Sequence, residues 1–373
     1  MVKSIAIIGM GYIGGSLGLA FKKNIPEALV TGIDKGSILI RAKNVGAIDN
    51  GCIYTELNTG LKDVDLVFLT TPIYITKEIL PKVSEYVSKK AVVTDTAFTK
   101  REIMKSAEEH FTGGATFIGG HPIIKYEQWE IEQADPYLFS NTSYILVPSN
   151  QGSIEALEVL KEVVHAIGAR EIIMGPEEHD SLYGGLNHML QLIAMAHVNS
   201  VFSHLEDKKR DMAASLAGER FKRFIEELST PYYIWEDIFN SNYDFIAKSV
   251  DRFIDELKNI TGKLGSEALI DEYQGVQKYI SDIPEPTKGF NRELFHLYIT
   301  IEDRPGAISQ LTALLSSNGF DIRDIELVKI KEGDAATMRI SFSTQNIASK
   351  AGSFLVKSGY SCRTQYEYEE FNF

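Results

Sequence analysis

The sequence predicts an α/β domain with a mainly parallel sheet, then an all-helical domain, then a small α+β domain. Three observations predict this order. Over residues 1–175, short β-branched runs alternate with amphipathic segments, as strands do when crossover helices join them. Over 176–283 the strand signals stop and helical periodicity continues. After a linker at 284–294 that contains Pro284, Pro286 and Gly289, strand runs return over 295–373.

In the first region the strand runs are "SIAIIG", "ALVTGID", "LVFLTTP", "AVVTDT", "TFIGGHP", "SYILVP" and "EIIMG". Continuous apolar character suits strands covered on both faces. "GGSLGLAFKK" and "ITKEILPKVSEYVSKK" supply covering helices. The helical region opens with "EEHDSLYGGLNHMLQLIAMAHVNSVFSHL", nearly free of charge after Asp180. A helix apolar on most sides belongs in a core or a subunit interface. The last region reads as a strand, a tight turn at "DRPGA", an amphipathic helix and a hairpin turning at "KEGDA".

Composition narrows the function. The 373 residues are 44% hydrophobic and 24% charged, and the formal net charge is -13. That charge argues against nucleic acid or an anionic membrane surface as partner. Two cysteines, Cys52 and Cys362, suggest neither a disulfide framework nor a metal-ligand cluster, so no metal is expected. No apolar run is long enough to span a bilayer, and "MVKSIAIIGMGYIGG" reads as a first strand, not a signal peptide. The expected location is the cytoplasm.

"IAIIGMGYIGGSLGLAF" sets Gly9, Gly11 and Gly14 in the spacing G-x-G-x-x-G between an apolar strand and a helix. In that context the first glycine allows a tight turn and the second a close approach of pyrophosphate. The third lets helix and strand pack. "ALVTGID" ends in Asp34, an acid placed to bind ribose hydroxyls and repel a 2′-phosphate. The reading is a Rossmann-type domain that binds NAD. Tyr12, Ile13, Thr71 and Pro72 are expected to line the cofactor site with the glycines.

"FIGGHP" places a lone histidine, His121, at the end of a strand run. Gly119 and Gly120 would allow close backbone approach, and Pro122 restricts His121 to extended conformations.

"GMGYIGGSLGLAFKK", "VVTDTAFTK", "FIGGHP", "PEEHD" and "IWEDIFNSN" together resemble the prephenate dehydrogenases of tyrosine biosynthesis, in order and spacing over nearly the first 260 residues. "LYITIEDRPGAISQLTALLSSNGFDIRDIEL" resembles an ACT domain, a ferredoxin-like ligand-sensing module. The resemblance implies an NAD-binding domain, an all-α substrate and dimerisation domain, and a regulatory domain. It also implies a reaction. Hydride leaves the ring carbinol carbon of prephenate for NAD, the hydroxyl proton leaves, and the far carboxylate departs as carbon dioxide while the ring aromatises. His121 would assist removal of the hydroxyl proton. His188 matches the first of two histidines in the family's helix, Gln191 stands at the second, and Asn187 stands where serine is frequent. All three are expected at the substrate. His179 and Asp180 are expected to cap the long helix.

Three departures bear on the substrate. Phe98 stands where the family has a serine, with Thr96 and Thr99 beside it as substitute donors. "HPIIKYEQW" puts bulky Ile123, Ile124 and Lys125 in the pocket wall. "LAGERFKRFIEELSTP" places Ile225 or Glu226 where the family has a carboxylate-gripping arginine. Arg223 could replace that arginine, or Arg220, Lys222 and Arg223 could form an ordinary solvated face. Other readings are a relative acting on arogenate or another small cyclic hydroxy acid, and a regulatory protein that binds NAD and an amino acid without catalysis. In the ACT-like unit Asp303, Pro305, Gly306 and Ala307 are expected to bind an effector, tyrosine by resemblance, and the chain is expected to be a homodimer.

Overall fold

The computed structural model describes residues 2–124, 128–149, 153–281, 283, 294–331 and 335–364. The chain divides into two compact units, Met1–Val276 and Gln277–Phe373.

The first unit starts as strands and helices in alternation. β1 (Ser4–Ile8), α1 (Tyr12–Asn24), β2 (Leu29–Ile33), α2 (Gly36–Asn44), β3 (Asn50–Cys52) and the short α3 (Leu57–Gly60) form one half. β4 (Leu66–Leu69), α4 (Ile73–Tyr86), β5 (Val92–Asp95), α5 (Arg101–His110) and β6 (Thr116–Pro122) follow. β7 (Ser143–Pro148), α6 (Ile154–Ala166) and β8 (Arg170–Ile173) complete the sheet. Strand order is β3-β2-β1-β4-β5-β6-β7-β8. Every pairing is parallel except β6 with β7, which sets His121 opposite Ile145. The short β3 lies in a stretch with no strand signal, and Asn50 and Gly51 are exposed.

Alternation along β1 shows how the core is built. Ile5 and Ile7 join one apolar cluster with Phe21, Phe68 and Tyr144, while Ala6 and Ile8 join a second with Val67, Leu69 and Phe117. The sheet is therefore covered on both faces, which explains its unbroken apolar runs. Strand order reverses between β1 and β4, and in such sheets ligands bind in the crevice outside the carboxyl ends of those strands.

The helical part comprises α7 (Pro176–Tyr183), a π turn (Gly184–His188), α8 (Met189–Phe202), α9 (Asp207–Leu216) and α10 (Glu219–Phe224). A 3₁₀ turn (Glu226–Ser229), α11 (Tyr232–Ser241), α12 (Tyr243–Gly262) and α13 (Ala268–Ser281) follow. The single long helix expected from "EEHDSLYGGLNHML…" is interrupted by the π turn. Its apolar side is not in the core of this chain: Leu182, Leu190 and Met195 are exposed, and Leu186 is 70% exposed. Among the described residues no helix is long and apolar enough to cross a membrane.

In the second unit β9 (Phe295–Glu302), α14 (Ala307–Ser317), β10 (Asp324–Lys331), β11 (Ala335–Phe342), α15 (Gln345–Lys357) and β12 (Ser361–Thr364) build an antiparallel sheet in the order β10-β11-β9-β12. Leu297, Ile299, Leu311, Met338 and Leu355 are among its fully buried core. This is the ferredoxin-like arrangement. The turn expected at "KEGDA" and the linker after Ile283 lie outside the described residues. Gly306 has φ +85° and stands just before α14 with open space where a Cβ would be. Asp303 and Pro305 are exposed beside it, and Ala307 is buried.

Candidate active site

β1 runs into Gly9, whose φ of +100° favours glycine. A Cβ on Gly14 would lie 2.0 Å from the Gly9 carbonyl oxygen, so α1 can sit this close to the turn only with glycine there. No side chain caps α1 at Gly11, and the positive end of its dipole faces the crevice. The Asp34 carboxylate, just beyond β2, accepts hydrogen bonds from the amides of Met10 and Lys35, both at 2.6 Å. Gly11, Tyr12, Ile13, Thr71 and Pro72 line one cavity of about 240 Å³. The tight turn, the uncapped helix and the acid bonded to the loop fit a dinucleotide, with pyrophosphate at the helix start and ribose at Asp34.

A strap crosses this cavity. The Trp129 carbonyl accepts a hydrogen bond from the Tyr12 amide at 3.3 Å. Behind it a 3₁₀ turn (Ile131–Gln133) is tied to α2 through Arg41, whose guanidinium meets Glu130 at 2.5 Å and also Glu132.

His121 ends β6 at the mouth of a second cavity of about 560 Å³. Phe98, Gln128, Trp129 and Ile234 line both cavities, so the two adjoin. The His121 ring meets Phe98 edge-on, with centroids 5.5 Å apart. The peptide before it is clamped: the Gly120 amide donates to Asp95 at 2.9 Å and the Gly120 carbonyl accepts from Lys100 Nζ at 2.6 Å. Lys100 and Asp95 also pair with each other, both fully buried. Burial pushes the Lys100 amine below the usual lysine range while Asp95 pulls it back up. A Cβ on Gly120 would lie 2.4 Å from the Asp95 carbonyl oxygen, so this close approach requires glycine.

Behind His121 lies a chain of buried rings. His121 Nδ1 is 2.8 Å from His179 Nε2, and His179 Nδ1 is 2.7 Å from Asp180 Oδ1. Asp180 also receives the backbone amides of Lys100 at 2.7 Å and Arg101 at 3.0 Å, at the start of α5. The expected capping role is thus real, but the helix capped is α5 rather than α7. Burial raises the Asp180 carboxyl, yet the bonds from His179 and the α5 amides bring it net below the usual range. Burial, then repulsion by His179, Lys100 and His188, holds His121 well below the ordinary histidine value. Burial also lowers His179, against the pull of Asp180. Tyr183 stacks on His179 at 4.9 Å and 9°.

With both rings neutral, only one proton arrangement satisfies this chain. An ionised carboxylate only accepts, so His179 carries its proton on Nδ1 and offers Nε2 as acceptor. His121 then donates from Nδ1, and its Nε2 keeps a lone pair for the cavity.

Several expected substrate residues lie elsewhere. Asn187 lines the cavity, but His188 and Gln191 do not. Within the π turn His188 faces Asn242, whose Nδ2 lies 3.1 Å from His188 Nδ1 and donates to the Asp180 carbonyl at 2.7 Å. Burial first, with His179, takes His188 down to about 4 against the pull of Asp180. His188 Nε2 and Gln191 Oε1 are buried without a hydrogen-bond partner. Thr99 is turned to α11, 2.8 Å from Ser241 Oγ, and Thr96 lines the glycine-loop cavity instead. Arg223 is exposed and paired with Glu219 at 2.6 Å, because α10 turns its basic face to solvent; Arg220 and Lys222 are exposed too. The proposed arginine replacement therefore does not hold. Ile123, Ile124 and Glu226 do line the cavity, while Lys125 lies outside the described residues. No lysine or arginine lines it among the described residues.

Sequence reasoning did not single out Asp95, Lys100, Asn242 or Trp235. Trp235 lines the cavity and its Nε1 is buried without a partner. A signal was present: acid and lysine five apart in "TDTAFTK", just after a strand, is an unusual charge pair for a buried corner.

Comparison with known proteins places the chain in a family context. Residues 17–173 match the family model for the nucleotide-binding domain of prephenate dehydrogenase, 175–273 match the dimerization domain, and 297–352 match an ACT domain. The chain is 28% identical over 356 residues to the prephenate dehydrogenase of Bacillus subtilis, covering 94% of this chain and 95% of that one. It is 28% identical over 363 residues to the prephenate dehydrogenase of Lactococcus lactis subsp. cremoris, covering 96% and 98%. A crystal structure of Aquifex aeolicus prephenate dehydrogenase, in complex with hydroxyphenyl propionate and NAD+, superposes with a TM-score of 0.70 at 25% identity, covering 76% of this chain and 99% of that one.

Proposed function

The chain belongs to the prephenate dehydrogenase family, and we propose that it is an NAD-dependent enzyme converting prephenate to 4-hydroxyphenylpyruvate. The observation that carries the reading is His121, which lines the larger cavity beside Phe98, a residue shared with the glycine-loop cavity, and whose Nδ1 is engaged by His179 so that Nε2 is left for the cavity. Gly9, Gly11, Tyr12, Ile13, Gly14, Asp34, Thr71 and Pro72 would hold NAD, which would supply the hydride acceptor. His121 Nε2 takes the proton of the substrate hydroxyl. The Asp95–Lys100 clamp on Gly120 holds the ring in place. Asn187 and the Trp235 N–H serve as donors to substrate oxygens.

The test is reduction of NAD by the purified chain, with prephenate and arogenate supplied separately and the aromatic product identified. His121→Gln is expected to lower kcat by about 10²–10⁴ while leaving NAD binding intact. Tight NAD binding with no reduction by either acid would favour the non-catalytic regulatory reading.

One observation favours a second substrate. Glu226 lines the cavity, and prephenate brings two carboxylates where arogenate brings a compensating ammonium. Preference for arogenate in the same assay would support it. The exposed apolar side of the π turn and α8 is assigned to a homodimer interface, testable by sedimentation. Asp303, Pro305, Gly306 and Ala307 are assigned to a tyrosine site. Truncation near Pro286 should then abolish tyrosine inhibition, whereas inhibition that survives would place tyrosine at the active site. The cytoplasm remains the proposed location.

A further inference from the structure

We infer that His179 and Asp180 form a proton relay behind His121, as positioning residues that hold its Nε2 unprotonated toward the substrate and share the charge once it is protonated. The inference rests on the reading of His121 as the base.

The geometry distinguishes a relay from packing. His179 lines neither of the two cavities; its two nitrogens are spent on His121 and Asp180. Asp180 is fully buried, with both oxygens occupied by His179 and the start of α5. Its negative charge is thus fixed, stabilised by the positive end of that helix. With Asp180 ionised, each ring has one tautomer that satisfies both its contacts.

The proton inventory closes. The substrate oxygen loses its proton to His121 Nε2. His121 can then pass the Nδ1 proton to His179 Nε2, leaving His121 neutral and His179 an imidazolium against Asp180. No proton leaves the buried chain, and the positive charge ends beside a carboxylate rather than beside the developing ring carbonyl.

Among the described residues, the polar and titratable groups around the two rings are these. From β5 and the start of α5 come Asp95, Lys100 and Arg101. From α7 come Asp180 and Tyr183, from the π turn His188, and from the α11–α12 junction Asn242 and Asp244. Lys100 and His188 oppose a positive His121, while Asp180 favours a positive His179.

The test is a double-mutant cycle on the full chain. In His179→Gln the amide oxygen can still accept from His121 Nδ1 but cannot take a proton. The expected result is a fall in kcat of about 10–100-fold with KM and NAD affinity little changed, and an acid limb of kcat/KM moved to higher pH as His179 repulsion is lost. In the His121→Gln background, His179→Gln should cost nothing further, because His179 acts through His121. Wild-type kcat in the single variant, or losses that multiply in the double, would overturn the relay. A second measurement needs no variant. Ring-nitrogen NMR of the wild type should show His121 and His179 both protonated on Nδ1; a proton on His121 Nε2 would overturn the relay. Inactivity of the wild type toward both acids would instead sink the proposed function, and the ring nitrogens would still decide the relay geometry.

Discussion

The amide of Tyr12, the first residue of α1, donates to the carbonyl of Trp129 at 3.3 Å. That amide sits where a glycine-loop helix meets pyrophosphate, so the strap occupies a position the cofactor needs. Cofactor binding is expected to displace Trp129. The chain has two tryptophans, so Trp235→Phe isolates Trp129, and saturating NAD should change its emission. Removing the tie to α2 with Glu130→Gln and Glu132→Gln should tighten NAD by about two- to fivefold, the scale of exposed ion pairs. Unchanged emission at saturation would mean NAD binds with the strap in place.

Arg223 points away from the cavity to Glu219, while Glu226 lines the cavity. Arg223→Ala is therefore expected to leave KM for either acid unchanged within about twofold, since an exposed i,i+4 pair contributes little. Glu226→Gln should raise kcat/KM for prephenate, by about fivefold at low salt and less at high salt, through loss of like-charge repulsion. Kinetics of the two variants at two ionic strengths checks both. A large KM rise in Arg223→Ala would restore the arginine clamp.

These residues also show what could be read in the sequence. The glycine loop and Asp34 were legible because turn, strand and helix chemistry repeat at short spacing. His121 stood out through its resemblance, not its pattern. The relay was hidden because His179 and Asp180 look like caps for their own helix, whereas their partners His121 and Lys100 are 58 and 80 residues away. His188 lies off the cavity because a π turn shifts the helical phase, setting it against Asn242, while Asn187 lines the cavity as expected. Arg223 failed for a different reason: a basic cluster reads alike whether it grips an anion or faces water.

Lys100 and Asp95 form a fully buried ion pair that also holds both polar groups of Gly120. Lys100→Met leaves Asp95 as an uncompensated buried charge. The expected cost is about 3–5 kcal/mol, read as a lower urea midpoint with unchanged slope. Adding Asp95→Asn should recover part of it, because the second change removes the stranded charge. kcat should stay low in both, since Gly120 has lost its clamp and His121 its fixed position. Full recovery of kcat in the double variant would show that the pair contributes to stability alone.

Stability should fall on mild acidification, and the sign follows from the buried rings. His121, His179 and His188 all have folded-state values below the ordinary 6.5. Between the two values the unfolded chain binds more protons than the folded one, so stability rises with pH there. It is complete above about 6.5 and is lost as pH falls toward the folded values, which for His188 means down to about 4. His188 alone accounts for roughly 3 kcal/mol across that window. Asp180, lowered in the fold, adds a further loss only below its ordinary value of 3.8. Melts across this range should show a falling Tm, and His188→Gln should flatten the fall, because an amide has no proton to gain. A Tm that stays level down to about pH 5 would mean that the three rings are already protonated in the folded chain, and neither the neutral base nor its relay could then stand.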